Sequence, residues 1–191
     1  MKTILYMAQS LNGYIAKDNG DSSWVGSADL KRFKVMTQQA GNVVMGRNTY
    51  EYLQTGGDFP LPGRLNVVMT RELKESDTDQ ILFTNKSPAE VLEYLRGQKF
   101  TEAMVIGGGK LAKSFLEENL IDELLVTIEP VILGRGIQFV ERGEFVEAGD
   151  LEVQLRLIDI QKISENEIQL HYAVIRDQVL ESDSGNESAE V

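Results

Sequence analysis

Apolar runs of strand length alternate with helix-length amphipathic stretches through the first two thirds of this chain, and only strand-like runs follow. That order constrains the fold more than any single motif. Parallel strands need long crossover connections, and each alternating unit supplies a helix for one. The closing stretches "LEVQLRLIDIQKI" and "EIQLHYAVIRD" alternate in polarity across a short "SEN" link, which predicts an antiparallel hairpin at one edge. The expected fold class is therefore α/β, with three layers: a mixed, mostly parallel sheet with helices on both faces.

The expected strands are Thr3–Ser10, "NVVMG", "LNVVMT", "QILFT", "EAMVIGGG" and a long "IDELLVTIEPVIL". The expected helices are "SADLKRFKVMTQQA", with Leu30, Phe33 and Met36 or Thr37 at helical spacing, and "RNTYEYLQ", with Asn48 or Thr49 near its cap. "SPAEVLEYLRG" carries a serine cap, a first-position proline and a closing glycine, and "GKLAKSFLEEN" follows the glycines. Asn12-Gly13 and Asn19-Gly20 mark residues 11–24 as a long loop.

At 191 residues the chain fits one domain with a real core. We expect that domain over residues 1–176 and an acidic, serine-rich tail over 177–191. The net charge of -11 argues against nucleic acid or an anionic membrane as the main partner, but leaves room for a small anion in a basic pocket. With no cysteine and one histidine, His171, disulfides, thiolate metal sites and a zinc deaminase centre are excluded, and no metal is expected. His171 sits in an alternating strand and reads as structural. No signal peptide is recognisable, and no run approaches the roughly 20 apolar residues of a membrane helix. A cytoplasmic location is expected.

The glycines of "VIGGGKLAKSF" pose a chemical question. A phosphate-binding P-loop fails, because Leu111 follows Gly109-Lys110 and the upstream glycine is missing. A dinucleotide fingerprint fits in part, through Gly107, Gly109 and Ala112 with Glu129 about 20 residues on. The strands that follow argue against it. What remains is general: a strand ending in glycine and opening a helix brings free N–H groups and bare backbone to a pyrophosphate.

"NVVMGRNTYEYL", "LPGRLNVVMTRE" and "AMVIGGGKLAKSFL", in this order, resemble dihydrofolate reductase. "SLNGYIA" and "EPVILGRGIQFV" resemble the reductase domain of riboflavin biosynthesis, the C-terminal half of a bifunctional deaminase-reductase, and its stand-alone relatives. The resemblance spans roughly Met1 to Arg176. It implies NADPH as hydride donor, a small-molecule substrate and a homodimer.

It also implies a cis peptide at Gly107-Gly108 facing the cofactor. Ala8, Gly46, Arg47, Asn48, Thr49, Thr70, Arg71, Gly107, Gly108, Gly109, Lys110 and Leu111 fall where such proteins hold the dinucleotide, with Arg47 and Arg71 able to clamp a 2'-phosphate. The plain alternative is that both are solvated surface arginines. Asp29 matches the carboxylate that holds a pterin and assists protonation of the reduced C=N, and Thr127 the threonine that contacts it. Their plain alternatives are a helix-start aspartate and a strand threonine. Trp24 and Phe33 match walls of a planar-ring pocket, or are core. Arg64 matches the arginine that grips a folate tail, and could equally bind a ribityl phosphate, or nothing.

Asp29 and Arg64 point to the folate side and "EPVILGRGIQF" to the riboflavin side, so the expected activity is reduction of a C=N bond in a pteridine- or pyrimidine-like compound. The rival class is a non-catalytic nucleotide- or folate-binding protein on the same fold.

Overall fold

The computed structural model describes residues 1–76, 78–141 and 151–176. The expected tail, 177–191, lies outside the described residues.

Eight strands form one sheet. They are β1 (Lys2–Ser10), β3 (Asn42–Gly46), β4 (Leu65–Met69), β5 (Ile81–Thr84), β6 (Glu102–Val105), β7 (Glu123–Glu129), β9 (Leu155–Lys162) and β10 (Ile168–Val174), in the order β5-β4-β3-β6-β1-β7-β10-β9. The pairings from β5 to β7 are parallel, and β10 pairs antiparallel with both β7 and β9. The mixed sheet and edge hairpin expected from the order of elements are thus present.

Helices α1 (Ser27–Ala40), α2 (Arg47–Gly56), α3 (Pro88–Gly97) and α4 (Gly109–Glu117) fall where the sequence places them, to within two residues. Side chains alternate across each strand, and this sorts the two faces. Leu5, Met7, Val44, Val67 and Val105 pack with Val91, Leu92 and Leu95 of α3 and Leu111, Phe115 and Leu116 of α4. Ile4, Tyr6, Val43, Met45 and Val68 pack with Phe33, Met36 and Ala40 of α1 and Tyr50 and Leu53 of α2. The serine cap expected at Ser87 forms, and Glu90 reaches back to complete a capping box.

Three differences from expectation have physical causes. The long strand after Ile121 stops at Glu129, because Pro130 has no N–H for the ladder and the chain turns there, Val131 N donating to Glu129 O at 2.8 Å. The expected loop over 11–24 contains β2 (Tyr14–Ala16), which pairs with β8 (Ile137–Gln138). Strands of two or three residues are too short to show a period. Finally, Leu30 is 54% exposed, while Asp29 is buried. The inward face of α1 therefore starts with a carboxylate.

Candidate active site

Asp29 is the third residue of α1, and the helix lies so that its side chain enters the layer above β1 and β7. Its Oδ1 accepts from the Tyr6 hydroxyl at 2.8 Å and from Thr127 Oγ1 at 2.5 Å. Tyr6 and Thr127 come from neighbouring strands, β1 and β7. Behind them Gln169, on β10, donates from Nε2 to the Tyr6 oxygen at 3.0 Å and to Thr127 Oγ1 at 3.1 Å. Arg32 Nε then donates to Gln169 Oε1 at 2.5 Å. All these groups except Arg32 are buried.

Burial pushes the Asp29 carboxyl up from its ordinary value, the Thr127 and Tyr6 hydroxyls pull it back, and Glu167 and Arg32 act in opposite senses from further off. Burial beside Asp29 pushes the Tyr6 phenol well up, which keeps it a neutral donor.

A second carboxyl group lies just beyond. Glu129 Oε1 accepts the Gly26 N–H at 3.0 Å, next to the start of α1. Glu167 reaches the same glycine from the turn between β9 and β10, and its buried Oε1 has no hydrogen-bond partner among the described residues. Burial, with Glu167 and Asp29 nearby, raises the Glu129 carboxyl. Two buried carboxyls in contact are stable together when one keeps its proton. Glu129 is therefore turned to Gly26 and Glu167, and the ribose-binding role of a dinucleotide fingerprint does not fit it.

The aromatic residues divide. Phe33 sets its ring edge-on to Tyr6, 5.5 Å between centroids, so it lies beside the hydroxyl that holds Asp29. Trp24 is half-buried and its indole N–H is a buried donor with no acceptor among the described residues. Arg64 is buried and donates to Thr37 Oγ1 and to Pro62 O. Thr37 lies two helical turns beyond Asp29 on the same stripe of α1, about 12 Å along the axis. Asp29 and Arg64 thus mark the two ends of one helix face.

The glycines build a separate region at the carboxyl ends of β3 and β6. Ile106 N donates to Val44 O at 2.9 Å and Gly46 N to Gly107 O at 3.0 Å, which brings the two strand ends together. α2 and α4 start there side by side, with Gly46 and Gly108 as N-caps and no side-chain cap on either. First-turn N–H groups of both helices are consequently left for a ligand. The Gly107-Gly108 peptide is cis, and Gly107 has φ +126°, a conformation that side chains rarely adopt. Thr49 Oγ1 would lie 3.6 Å from a Cβ at Gly107. Gly109 is held against the β2–β8 ribbon, where an added Cβ would come within 2.4 Å of Gln138 O.

Ala8 stands opposite Thr127 in the β1–β7 register and so links the two regions. Leu111 is buried against Gly46. Lys110 is exposed, 3.8 Å from Glu141. Asn48 and Arg71 are exposed, and Thr70 is half-buried at the end of β4. Arg47 is also exposed, but its guanidinium is occupied by Glu51 and Glu72, each at 2.7 Å. His171 pairs with Glu123 at 2.8 Å. No group of acids and histidines able to hold a metal exists among the described residues.

A match to the RibD C-terminal domain family spans residues 1–169. This chain belongs to that family. It is 31% identical to the uncharacterized protein YwjB of Bacillus subtilis over 90% of this chain and 97% of that one. It is 36% identical to the dihydrofolate reductase of Haemophilus influenzae over 64% of this chain and 69% of that enzyme. Among solved structures, a Shewanella sp. PV-4 protein with a provisional riboflavin-biosynthesis name superposes with a TM-score of 0.74 at 25% identity, covering 92% of this chain and all of that one. The protein is a reductase of the dihydrofolate reductase-like kind.

Tyr6, Gln169, Arg32 and Glu167 are the site residues that the sequence did not reveal. Tyr6 and Gln169 sit in ordinary strands and Glu167 in the turn before β10, and the sheet order brings all three to Asp29; Arg32 lies one turn further along α1 and joins the site through Gln169.

Proposed function

We propose that this protein is an NADPH-dependent reductase that adds hydride to a C=N bond of a pteridine- or pyrimidine-like compound, of the dihydrofolate type or the 5-amino-6-(5-phosphoribosylamino)uracil type. The observation that carries this reading is Asp29. Its Oδ1 is saturated by two hydroxyl donors, while its Oδ2 has no partner among the described residues. A carboxylate held in this way presents one oxygen to a ring amidine or lactam, whose N–H groups it can accept.

The region around the glycines fits a dinucleotide. Two uncapped helix starts lie next to each other, and Gly107 and Gly108 leave bare backbone beside Thr49. Gly46, Arg47, Asn48 and Thr49 at α2, and Gly109, Lys110 and Leu111 at α4, would hold the pyrophosphate. Thr70 and Arg71 would meet the 2'-phosphate, joined by Arg47 once it leaves its acids. Bound NADPH would supply hydride at the substrate ring.

The chain's own residues then do the rest. Ala8 and the glycines bound the ring stack, Trp24 and Phe33 bound the substrate, and Arg64 takes an anionic tail at the far end of α1. Asp29 binds the ring and, with its carboxyl pushed up by burial, keeps a proton near the nitrogen that becomes basic as hydride arrives. Thr127 fixes its orientation.

A homodimer belongs to the same proposal. Every residue of β9 is exposed, including Leu155, Leu157, Ile158 and Ile160, although it is a sheet edge. A cytoplasmic location is proposed from the lack of cysteine; no described helix is long and apolar enough to cross a membrane.

The test is to mix the protein with NADPH and then with dihydrofolate or the aminouracil compound, and to follow nicotinamide absorbance. Loss of absorbance with either supports the proposal. Tight NADPH binding with no turnover on a panel of pteridines and pyrimidines would leave a binding protein instead.

A further inference from the structure

The four hydrogen bonds behind Asp29 have a direction, and Arg32 sets it. A guanidinium has no acceptor, so the Gln169 atom it touches is the amide oxygen. The amide nitrogen is then forced to the other side, where its two hydrogens meet the oxygens of Tyr6 and Thr127. Each hydroxyl, having accepted there, has its own hydrogen left for Asp29 Oδ1.

We infer that Arg32 and Gln169 are positioning residues that act through Tyr6 and Thr127 to keep both hydroxyls donating to Asp29 Oδ1, so that Oδ2 alone is presented to substrate. This deepens the function proposed above and rests on its reading of Asp29.

Without a donor at position 32 the Gln169 amide is free to turn over. Its oxygen would then face the two hydroxyls and compete with Asp29 for their hydrogens. Asp29 would lose donors, and a carboxylate that loses donors takes up its proton at higher pH. The other groups facing Asp29 are Glu167 from the β9–β10 turn and, past Gly26, Glu129 from β7; both oppose its ionisation and neither is altered by the change.

Arg32 also carries a charge, so the test must separate charge from direction. Arg32→Met removes both. Arg32→Gln removes the charge but offers an amide nitrogen at the same number of bonds from the backbone as the arginine Nε, the atom that makes the contact. The measurement is a titration of ¹³C-aspartate carboxyl signals in the ligand-free protein, with Asp29 assigned by its absence in Asp29→Asn. The expected result is an upward move of the Asp29 midpoint by about one unit or more in Arg32→Met, as befits losing a charge-assisted hydrogen bond, and recovery of most of that move in Arg32→Gln. Equal moves in both variants would show a plain charge effect and overturn the inference, and so would no move in either. Turnover is recorded on the same samples. A relay that behaves as stated in a protein that reduces no pteridine or pyrimidine would leave this inference standing while the proposed function fails.

Discussion

Thr127 Oγ1 stands 2.5 Å from Asp29 Oδ1 and joins β7 to α1 across 98 positions of sequence. The pair holds a carboxyl group that burial would rather protonate. Such a group weakens the fold at neutral pH. Its folded midpoint lies above the ordinary 3.8, so its contribution is complete below 3.8 and is lost as pH rises through the folded midpoint. Asp29→Asn therefore has opposite effects on stability and activity. The variant should melt at or above the wild-type temperature from neutral pH down to about pH 4, with the difference closing below that. Its turnover should fall by about 10²–10⁴-fold, the usual worth of a positioned acid. Melting curves from pH 3.5 to 8, alongside rates, check both. A wild-type rate would remove Asp29 from the chemistry.

Gly26 answers for a contact, and backbone conformation has no part in it. Its φ is -73°, which any residue adopts. A Cβ there would lie 2.0 Å from Glu167 Oε1 and 3.2 Å from Glu129 Oε2. Gly26→Ala should consequently push the Glu167 side chain out and cost about 1–3 kcal/mol, the range for overpacking. Glu167→Ala in the same chain should recover much of that loss, because the clash is with a side chain. Denaturant unfolding of the two single variants and the double variant measures the coupling; strict additivity would mean that the glycine is needed for something else.

The fold was legible because strand and helix periods differ and because Ser87 and Pro88 start α3 as local rules require, although Lys99, and not Gly97, takes the left-handed conformation beyond its end. The site was legible only in part. Gly107 and Gly108 show in the sequence because a side chain is missing there, and Asp29 shows because the resemblance points to it. Tyr6 and Gln169 read as strand residues like any others. Their partners lie 23 and 163 positions away, and no local pattern encodes a pairing set by strand order. The pairing of Arg47 with Glu51 has the i,i+4 spacing of a helix and could be read from sequence, but its contact with Glu72 crosses to the end of β4 and could not.

The two arginines near the proposed 2'-phosphate should respond differently. Arg71 is exposed, whereas Arg47 is engaged by two acids. Arg71→Ala should raise the NADPH dissociation constant about tenfold and leave NADH nearly unchanged, given roughly 1.5–3 kcal/mol for a charged hydrogen bond. Glu72→Gln should act the other way, freeing Arg47 and tightening NADPH more than NADH. Fluorescence titration with both cofactors is sufficient. Equal losses for NADPH and NADH in Arg71→Ala would place that arginine away from the extra phosphate.

The edge of the sheet makes a prediction about assembly. Among the described residues β9 pairs with β10 on one side and with no strand on the other. Edge strands that stay single are commonly guarded by charge, proline or brevity. β9 is eight residues long and carries four exposed large aliphatic side chains, Leu155, Leu157, Ile158 and Ile160. Its charged residues, Arg156, Asp159 and Lys162, interrupt these aliphatic side chains and leave only Leu157 and Ile158 adjacent. A second copy of the same edge related by a two-fold axis would cover these side chains, and symmetric pairs are the commonest assemblies. Light scattering should give twice the chain mass at micromolar concentration. Ile158→Lys together with Ile160→Lys should give a monomer that keeps its melting transition, since both side chains are exposed in the single chain. A wild-type monomer over a wide concentration range would contradict the dimer. A double variant that stays dimeric would move the interface off β9.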